Sequence, residues 1–202
     1  MGWFKLLNLK IFSDYACPFC FIATGIFDKL KKDGVEFNVE WIPYEMHPDI
    51  PLEGKSVEGK HPKIYAEKMY EMLTKLGTEY GIEYKIQEKD YNTHRALLAG
   101  EYAKSIGKYD EFSKKTFKAY FTDLKNIGDK DILDDIAKQT GLNVEKMNKL
   151  IDSGEYEKNL EIAKKLIDKF EVEGTPTFII NDEHKMVGIR PYEQMKRSFL
   201  AY

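Results

Sequence analysis

The stretch "SDYACPFCFIATG" occupies residues 13–25 and holds both cysteines of this 202-residue chain, Cys17 and Cys20. Two cysteines separated by two residues can form a redox pair, supply half of a metal site, or be two buried and inert thiols. The elements predicted on either side of the motif help to decide between these three possibilities.

The residues that flank the motif predict a β-α-β unit. Apolar and polar residues alternate over residues 5–12, which indicates a strand with one buried face. After the motif, apolar residues follow at helical spacing as far as the stop signal Gly34, so Cys17 is expected at or near a helix N-terminus with Pro18 in the first turn. Alternation returns at residues 35–42 and predicts a second, parallel strand reached by a right-handed crossover.

The remaining sequence predicts a helical insert followed by the rest of the sheet. Four of the seven prolines fall within residues 43–62, which indicates an irregular connection. Helical spacing then continues for about a hundred residues. Two of these helices have a capping residue in front and a glycine behind, namely Asp129 with Gly141 and Asn143 with Gly154. A helix at 155–170, a β-hairpin around "NDEH" and a last helix opened by Pro191 complete the prediction.

Composition excludes several classes of protein. The 31 basic and 34 acidic residues are spread along the chain, with a formal net charge of -3, so no basic face for nucleic acid is expected. The apolar opening is shorter than a membrane span and is not followed by a signal cleavage site. We therefore expect a cytoplasmic protein without a membrane partner, where a reducing environment favours a reactive or metal-binding cysteine pair over a structural disulfide.

Five segments resemble one family, in order and across nearly the whole chain. They are "FSDYACPFCFIATG", "MHPDIPLEG", "NTHRALLAGEYAK", "KAYFTDLKNIGD" and "EGTPTFIIN". Through them the sequence resembles the DsbA family of thioredoxin-fold proteins, and more closely its FrnE-like branch. The resemblance implies an α/β thioredoxin fold with an inserted all-helical domain. The expected domains are a discontinuous thioredoxin-like domain at 1–43 and 155–202, a linker at 44–61 and a helical domain at 62–154.

The resemblance also implies an activity, that of a protein disulfide oxidoreductase or isomerase with a redox-active disulfide. Cys17 is then the nucleophile, Cys20 the resolving thiol and Pro176 a cis-proline that faces both. The substrate-binding residues lie around the cysteines, namely Pro18, Phe19, Thr175 and Pro176. The implied substrate is a protein that carries a disulfide or thiol, or a glutathione-like molecule, and no cofactor is expected.

Disulfide exchange requires a thiolate, and the predicted position of Cys17 favours one. The free N–H groups of a helix N-terminus stabilise an anion, and the Cys20 thiol can donate a further hydrogen bond. Cys17 is therefore predicted to be the more exposed and more acidic thiol. Phe19 offers no polar atom where strongly oxidising DsbA proteins carry histidine, so a milder redox poise is expected and the direction of electron flow stays open.

Several alternatives are weaker. Zinc could recruit His47, His61, His94 or His184, but no two histidines have close ligand spacing. Asp14 is interpreted as a turn or cap residue rather than a proton shuttle. Kappa-class glutathione transferases and 2-hydroxychromene-2-carboxylate isomerases share the architecture and bind glutathione, but usually lack the cysteine pair. A redox-controlled binding protein without turnover is a third possibility.

Overall fold

A computed structural model describes residues 6–60 and 62–202, so the expectations for residues 1–5 and for His61 lie outside the described residues. Within them, β1 (Leu7–Ser13) is an inner strand of a four-stranded sheet with the order β2-β1-β5-β6. It pairs in parallel with β2 (Phe37–Pro43) and antiparallel with β5 (Thr177–Ile180). The predicted β-α-β unit is therefore confirmed.

The predicted hairpin is confirmed as β5 paired antiparallel with β6 (His184–Val187). One detail differs, because His184 begins β6 instead of lying in the turn. The turn itself uses Asn181 and Asp182, whose φ angles of 52° and 63° are left-handed. Asn and Asp tolerate this conformation better than other residues with a side chain, so the turn fits the sequence "NDEH".

Eight helices lie in the described residues, and they agree closely with the predicted series. Their bounds are α1 (Pro18–Lys32), α2 (Lys63–Thr78), α3 (His94–Ser105), α4 (Tyr109–Phe121), α5 (Lys130–Gln139), α6 (Val144–Asp152), α7 (Glu157–Lys169) and α8 (Tyr192–Leu200). Two predicted caps are confirmed: Asp129 accepts a hydrogen bond from the Asp131 N–H, and Asn143 accepts one from the Lys146 N–H, each at 2.8 Å.

The region between β2 and α3 differs from the prediction. Residues Lys55–Ser56 (β3), in the predicted linker, and Lys89–Asp90 (β4), in the helical insert, form a short antiparallel ladder that the sequence did not predict. The ladder is only two residues long on each side and mostly solvent-exposed. A strand of this length has no alternating apolar face, and the sequence therefore contained no periodic signal for it.

Helix α1 lies between the sheet and the helical insert. On one side the Phe27 ring lies 6.3 Å from that of Phe178 in β5, and on the other the Phe21 ring stacks on Phe117 of α4 at 5.4 Å. Phe21 and Phe27 are both buried in one continuous core. The N-terminus of α1, which carries the cysteines, is therefore held where the sheet meets the helical insert.

The predicted domain limits stay a prediction, although the elements change character near them. The sheet strands end at Pro43, helices dominate until Asp152, and α7 then leads back to β5. No helix in the described part of the chain is both long enough and apolar enough to cross a membrane.

Candidate active site

The motif lies in the turn that joins β1 to α1. The Cys17 N–H donates to the Asp14 carbonyl at 3.1 Å, which closes the turn after Ser13. Cys17 is the N-cap of α1 in an extended conformation, with φ -92° and ψ 112°, and Pro18 is the first helical residue. The predicted position of Cys17 at the helix N-terminus is therefore confirmed.

The Cys17 sulfur has two neighbours that matter for its ionisation. Its thiol donates to the Thr175 carbonyl at 3.4 Å, and both cysteines are free thiols. The hydrogen bond from the Cys20 side chain lowers the pKa of Cys17 against the opposing effect of burial. The Thr175 side chain and the N–H groups of Phe19 and Cys20 lower it further, as expected at a helix start.

Cys20 behaves in the opposite way. Burial raises its pKa well above the ordinary value, and the hydrogen bond with Cys17 and the charge of that neighbour raise it further. The Ser13 side chain only partly opposes this. Cys17 is the more exposed thiol by a small margin, with 3% of its surface accessible against 0% for Cys20. The arrangement therefore ionises Cys17 first and keeps Cys20 protonated.

The loop before β5 completes the site. The Thr175–Pro176 peptide bond is cis, in agreement with what the family resemblance implies. Since β5 pairs directly with β1, this loop lies against the turn that holds Cys17. The Thr175 hydroxyl donates to the Met46 sulfur at 3.1 Å. The structure thus brings Cys17, Cys20 and Thr175 together, although 158 positions separate Cys17 from Thr175.

Pro18 and Phe19, the two residues between the cysteines, border an open groove of about 330 Å³. The opposite wall comes from α2 and the segment after it, with Tyr65, Met69, Tyr70 and Tyr84. The Tyr84 hydroxyl donates to the Pro18 carbonyl at 2.6 Å and fixes this wall to the helix start. Part of the apolar face of α2 therefore lines this groove.

Asp14 has a larger structural role than its interpretation as a turn residue suggested. Its carboxylate is fully buried and accepts from the Ala16 N–H at 3.1 Å and the Met46 N–H at 2.7 Å. Burial raises the pKa of Asp14, while these hydrogen bonds lower it. Asp14 therefore joins the active-site turn to the segment after β2. The sequence contained no signal for the second bond, because Met46 lies 32 positions away.

His94 is the first residue of α3. Its Nδ1 is 3.2 Å from the Glu45 carboxylate and its Nε2 is 3.0 Å from that of Glu157 in α7. These carboxylates raise the pKa of His94 to about 9, with Glu45 contributing most and burial opposing. Among residues 6–60 and 62–202, no group of three or more His, Cys, Asp or Glu could hold a metal ion.

Several known proteins are similar to this chain in sequence or in structure. The chain is 29% identical over 178 residues to the uncharacterized protein YwbO of Bacillus subtilis (strain 168), an alignment that covers 87% of this chain and 88% of YwbO. A probable DsbA oxidoreductase from Streptomyces coelicolor shares the fold with a TM-score of 0.86 and 20% identity, over 96% of this chain and 89% of that one.

Two further structures have the same fold at lower sequence identity. A 2-hydroxychromene-2-carboxylate isomerase has a TM-score of 0.74 and 16% identity, over 96% of this chain and 93% of that one. The cytosolic disulfide reductase DsbM from Pseudomonas aeruginosa, in its structure with GSH, has a TM-score of 0.69 and 11% identity, over 96% of each chain.

The match to a family model is the comparison that decides membership. It runs over residues 8–199 and therefore includes the sheet, the cysteine turn, the helical insert and the Thr175–Pro176 loop. Because the match spans nearly all of the chain, the protein belongs to the DSBA-like thioredoxin domain family.

Proposed function

We propose that the protein is a thiol-disulfide oxidoreductase in which Cys17 is the nucleophile and Cys20 the resolving thiol. The observation that carries this proposal is that the pKa values of two neighbouring thiols at one helix start are shifted in opposite directions. The pKa of Cys17 is lowered by a hydrogen bond from Cys20, and that of Cys20 is raised by burial. Two inert buried thiols need no difference between their pKa values, whereas disulfide exchange requires one thiolate at a time.

The proposed reaction has two exchange steps. The Cys17 thiolate attacks one sulfur of a substrate disulfide, so a mixed disulfide forms and the other substrate sulfur leaves as a thiolate that takes up a proton. Cys20 then loses its proton and attacks the Cys17 sulfur, which releases the second substrate thiol. The substrate gains two electrons and two protons, and the protein is left with a Cys17–Cys20 disulfide. The reverse sequence oxidises a dithiol substrate.

We propose a cysteine-containing polypeptide as the principal substrate, held by Pro18, Phe19, Thr175 and Pro176. The groove beside Pro18 and Phe19 supports this assignment, because its walls are largely aromatic and aliphatic side chains. Such a surface suits the apolar side chains of an extended or unfolded segment better than the charged groups of glutathione. Thr175 lies beside the Cys17 sulfur, where its backbone can pair with an extended substrate.

Reductase assays with two disulfides test this function. Insulin and oxidised glutathione serve as substrates at equal disulfide concentration, with dithiothreitol as the electron donor. We expect insulin to be reduced faster, and Cys17→Ser to abolish reduction of both. Absence of exchange with either disulfide would contradict the oxidoreductase assignment, whereas faster reaction with glutathione would contradict only the choice of substrate.

The glutathione-dependent transferase or isomerase remains the competing function, since an isomerase shares the fold. Retention of the reduced protein on immobilised glutathione, together with isomerase turnover that survives Cys20→Ser, would favour it. A cytosolic site of action is proposed by analogy with the cytosolic disulfide reductase DsbM.

A further inference from the structure

Met46 lies in the segment after β2 and brings a thioether sulfur to the edge of the site. Its backbone N–H donates to the buried Asp14 carboxylate at 2.7 Å, which fixes the backbone of Met46 beside the active-site turn. Its Sδ accepts the hydrogen bond from the Thr175 hydroxyl at 3.1 Å. Met46 therefore orients a hydroxyl that lies next to the nucleophilic cysteine.

Thr175 contacts Cys17 through two different groups. Its carbonyl accepts from the Cys17 thiol at 3.4 Å. Its side chain favours the thiolate form of Cys17 and so lowers the pKa of that thiol. A hydroxyl has one hydrogen, so Thr175 cannot donate to Met46 and to Cys17 at the same time.

The protonation state of Cys17 changes which of the two sulfurs is the better acceptor. A thioether sulfur and a neutral thiol sulfur are both weak acceptors, and in this structure the Thr175 hydroxyl donates to the thioether of Met46. A thiolate carries a full negative charge, and hydrogen bonds to charged acceptors are about twice as strong as neutral ones. Ionisation of Cys17 should therefore redirect the hydroxyl from Met46 to Cys17.

We propose that Met46 is a positioning residue that holds the Thr175 hydroxyl while Cys17 is a thiol and releases it to the sulfur when Cys17 becomes a thiolate. The inference deepens the proposed function, on which it rests only in taking Cys17 as the nucleophile. The bond to Met46 exists in the thiol form and must break on ionisation. Met46 consequently moderates the acidity of Cys17, and with it the tendency of the protein to remain reduced.

Two substitutions at Met46 should act in opposite directions. Met46→Leu keeps most of the volume but removes the acceptor, so the Cys17 pKa should fall by about 0.5 unit, which is roughly threefold more thiolate below the pKa. Met46→Gln supplies an amide oxygen, a better acceptor than sulfur, so the pKa should rise. The measurement is the rate of iodoacetamide alkylation of Cys17 against pH, read by peptide mass spectrometry. Met147→Leu, in the buried face of α6, is the matched control and should cause no shift.

The same substitution in a protein that lacks the Thr175 hydroxyl tests whether Met46 acts through Thr175. Thr175→Val removes the hydroxyl and should raise the Cys17 pKa, and adding Met46→Leu to that variant should then change nothing. The proposal is overturned if Met46→Leu leaves the pKa unchanged or raises it, or if it causes the same shift with Val at position 175. The titration needs no turnover, so failure of disulfide exchange and failure of this inference are separate results.

Discussion

Two regions of the cysteine turn differ in how they affect a thiol, although one helical turn holds both. The outer region, around Cys17, lowers the pKa of its thiol, whereas the inner region, around Cys20, raises it. Cys17 precedes the first helical residue and meets the N–H groups of Phe19 and Cys20, the Cys20 thiol and the Thr175 side chain. Cys20 is fully buried one turn inside the helix, with Ser13 as the main side chain that favours its ionised form.

The difference shows that position, not residue type, gives the two thiols their different acidity. Burial opposes the ionisation of both thiols, and at Cys17 it is outweighed by hydrogen bonds from the Cys20 thiol, the Thr175 side chain and the N–H groups at the helix start. Cys20 itself contributes to this difference, because the hydrogen bond that its thiol donates is the largest of the effects that lower the pKa of Cys17. One thiol is therefore acidic partly because the other is not.

The largest expected effect comes from removing either sulfur. Cys20→Ser should still attack a disulfide through Cys17 but stall as a mixed disulfide, because no thiol remains to release the partner. Cys17→Ser should trap nothing. Non-reducing gels after mixing each variant with a client of known cysteine content would show the adduct, and equal trapping by the two variants would overturn the assigned roles.

A smaller effect is expected from adding a donor to the outer region. Phe19→His places an N–H or a positive charge beside the Cys17 thiolate, which should stabilise the reduced protein and shift its equilibrium with glutathione about tenfold towards that form, or roughly 30 mV. Phe19→Leu, which adds no polar atom, is the control and should leave both the equilibrium with glutathione and the reduction potential unchanged. An unchanged equilibrium constant for Phe19→His would mean that position 19 does not set the redox poise.

The smallest effect should come from the inner region. Ser13→Ala removes a side chain that favours the Cys20 thiolate, so release of the mixed disulfide should slow by roughly threefold to tenfold. Single-turnover kinetics would measure the release, and the first attack by Cys17 should keep its rate. Ser153→Ala, at the C-cap of α6, is the control. Slowing of the attack step instead would show that the two regions are not separable in this way.

Much of the fold could be predicted from the sequence, because its signals are local. Alternation marked β1 and β2, Asp129 and Asn143 marked two helix starts, and the CPxC turn located Cys17. Thr175 and Pro176 entered only through the family resemblance, since nothing local predicts a cis bond.

The features that the sequence did not predict depend on contacts between distant segments. The Asp14 bond to Met46 and the His94 contacts with Glu45 and Glu157 join residues 32 to 63 positions apart. The sequence also could not tell which residues of α2 line the groove, because an apolar stripe has the same periodicity whether it faces a core or an open cavity.

The acidity of Cys17 tests the central claim most directly. In the reduced protein, the alkylation rate of each cysteine is followed against pH by mass spectrometry of the two labelled forms. We predict a half-maximal rate for Cys17 clearly below about pH 8.5, the ordinary cysteine value, with Cys20 unreactive over the same range. A Cys17 pKa at or above that value, or equal alkylation of both sulfurs, would contradict the account.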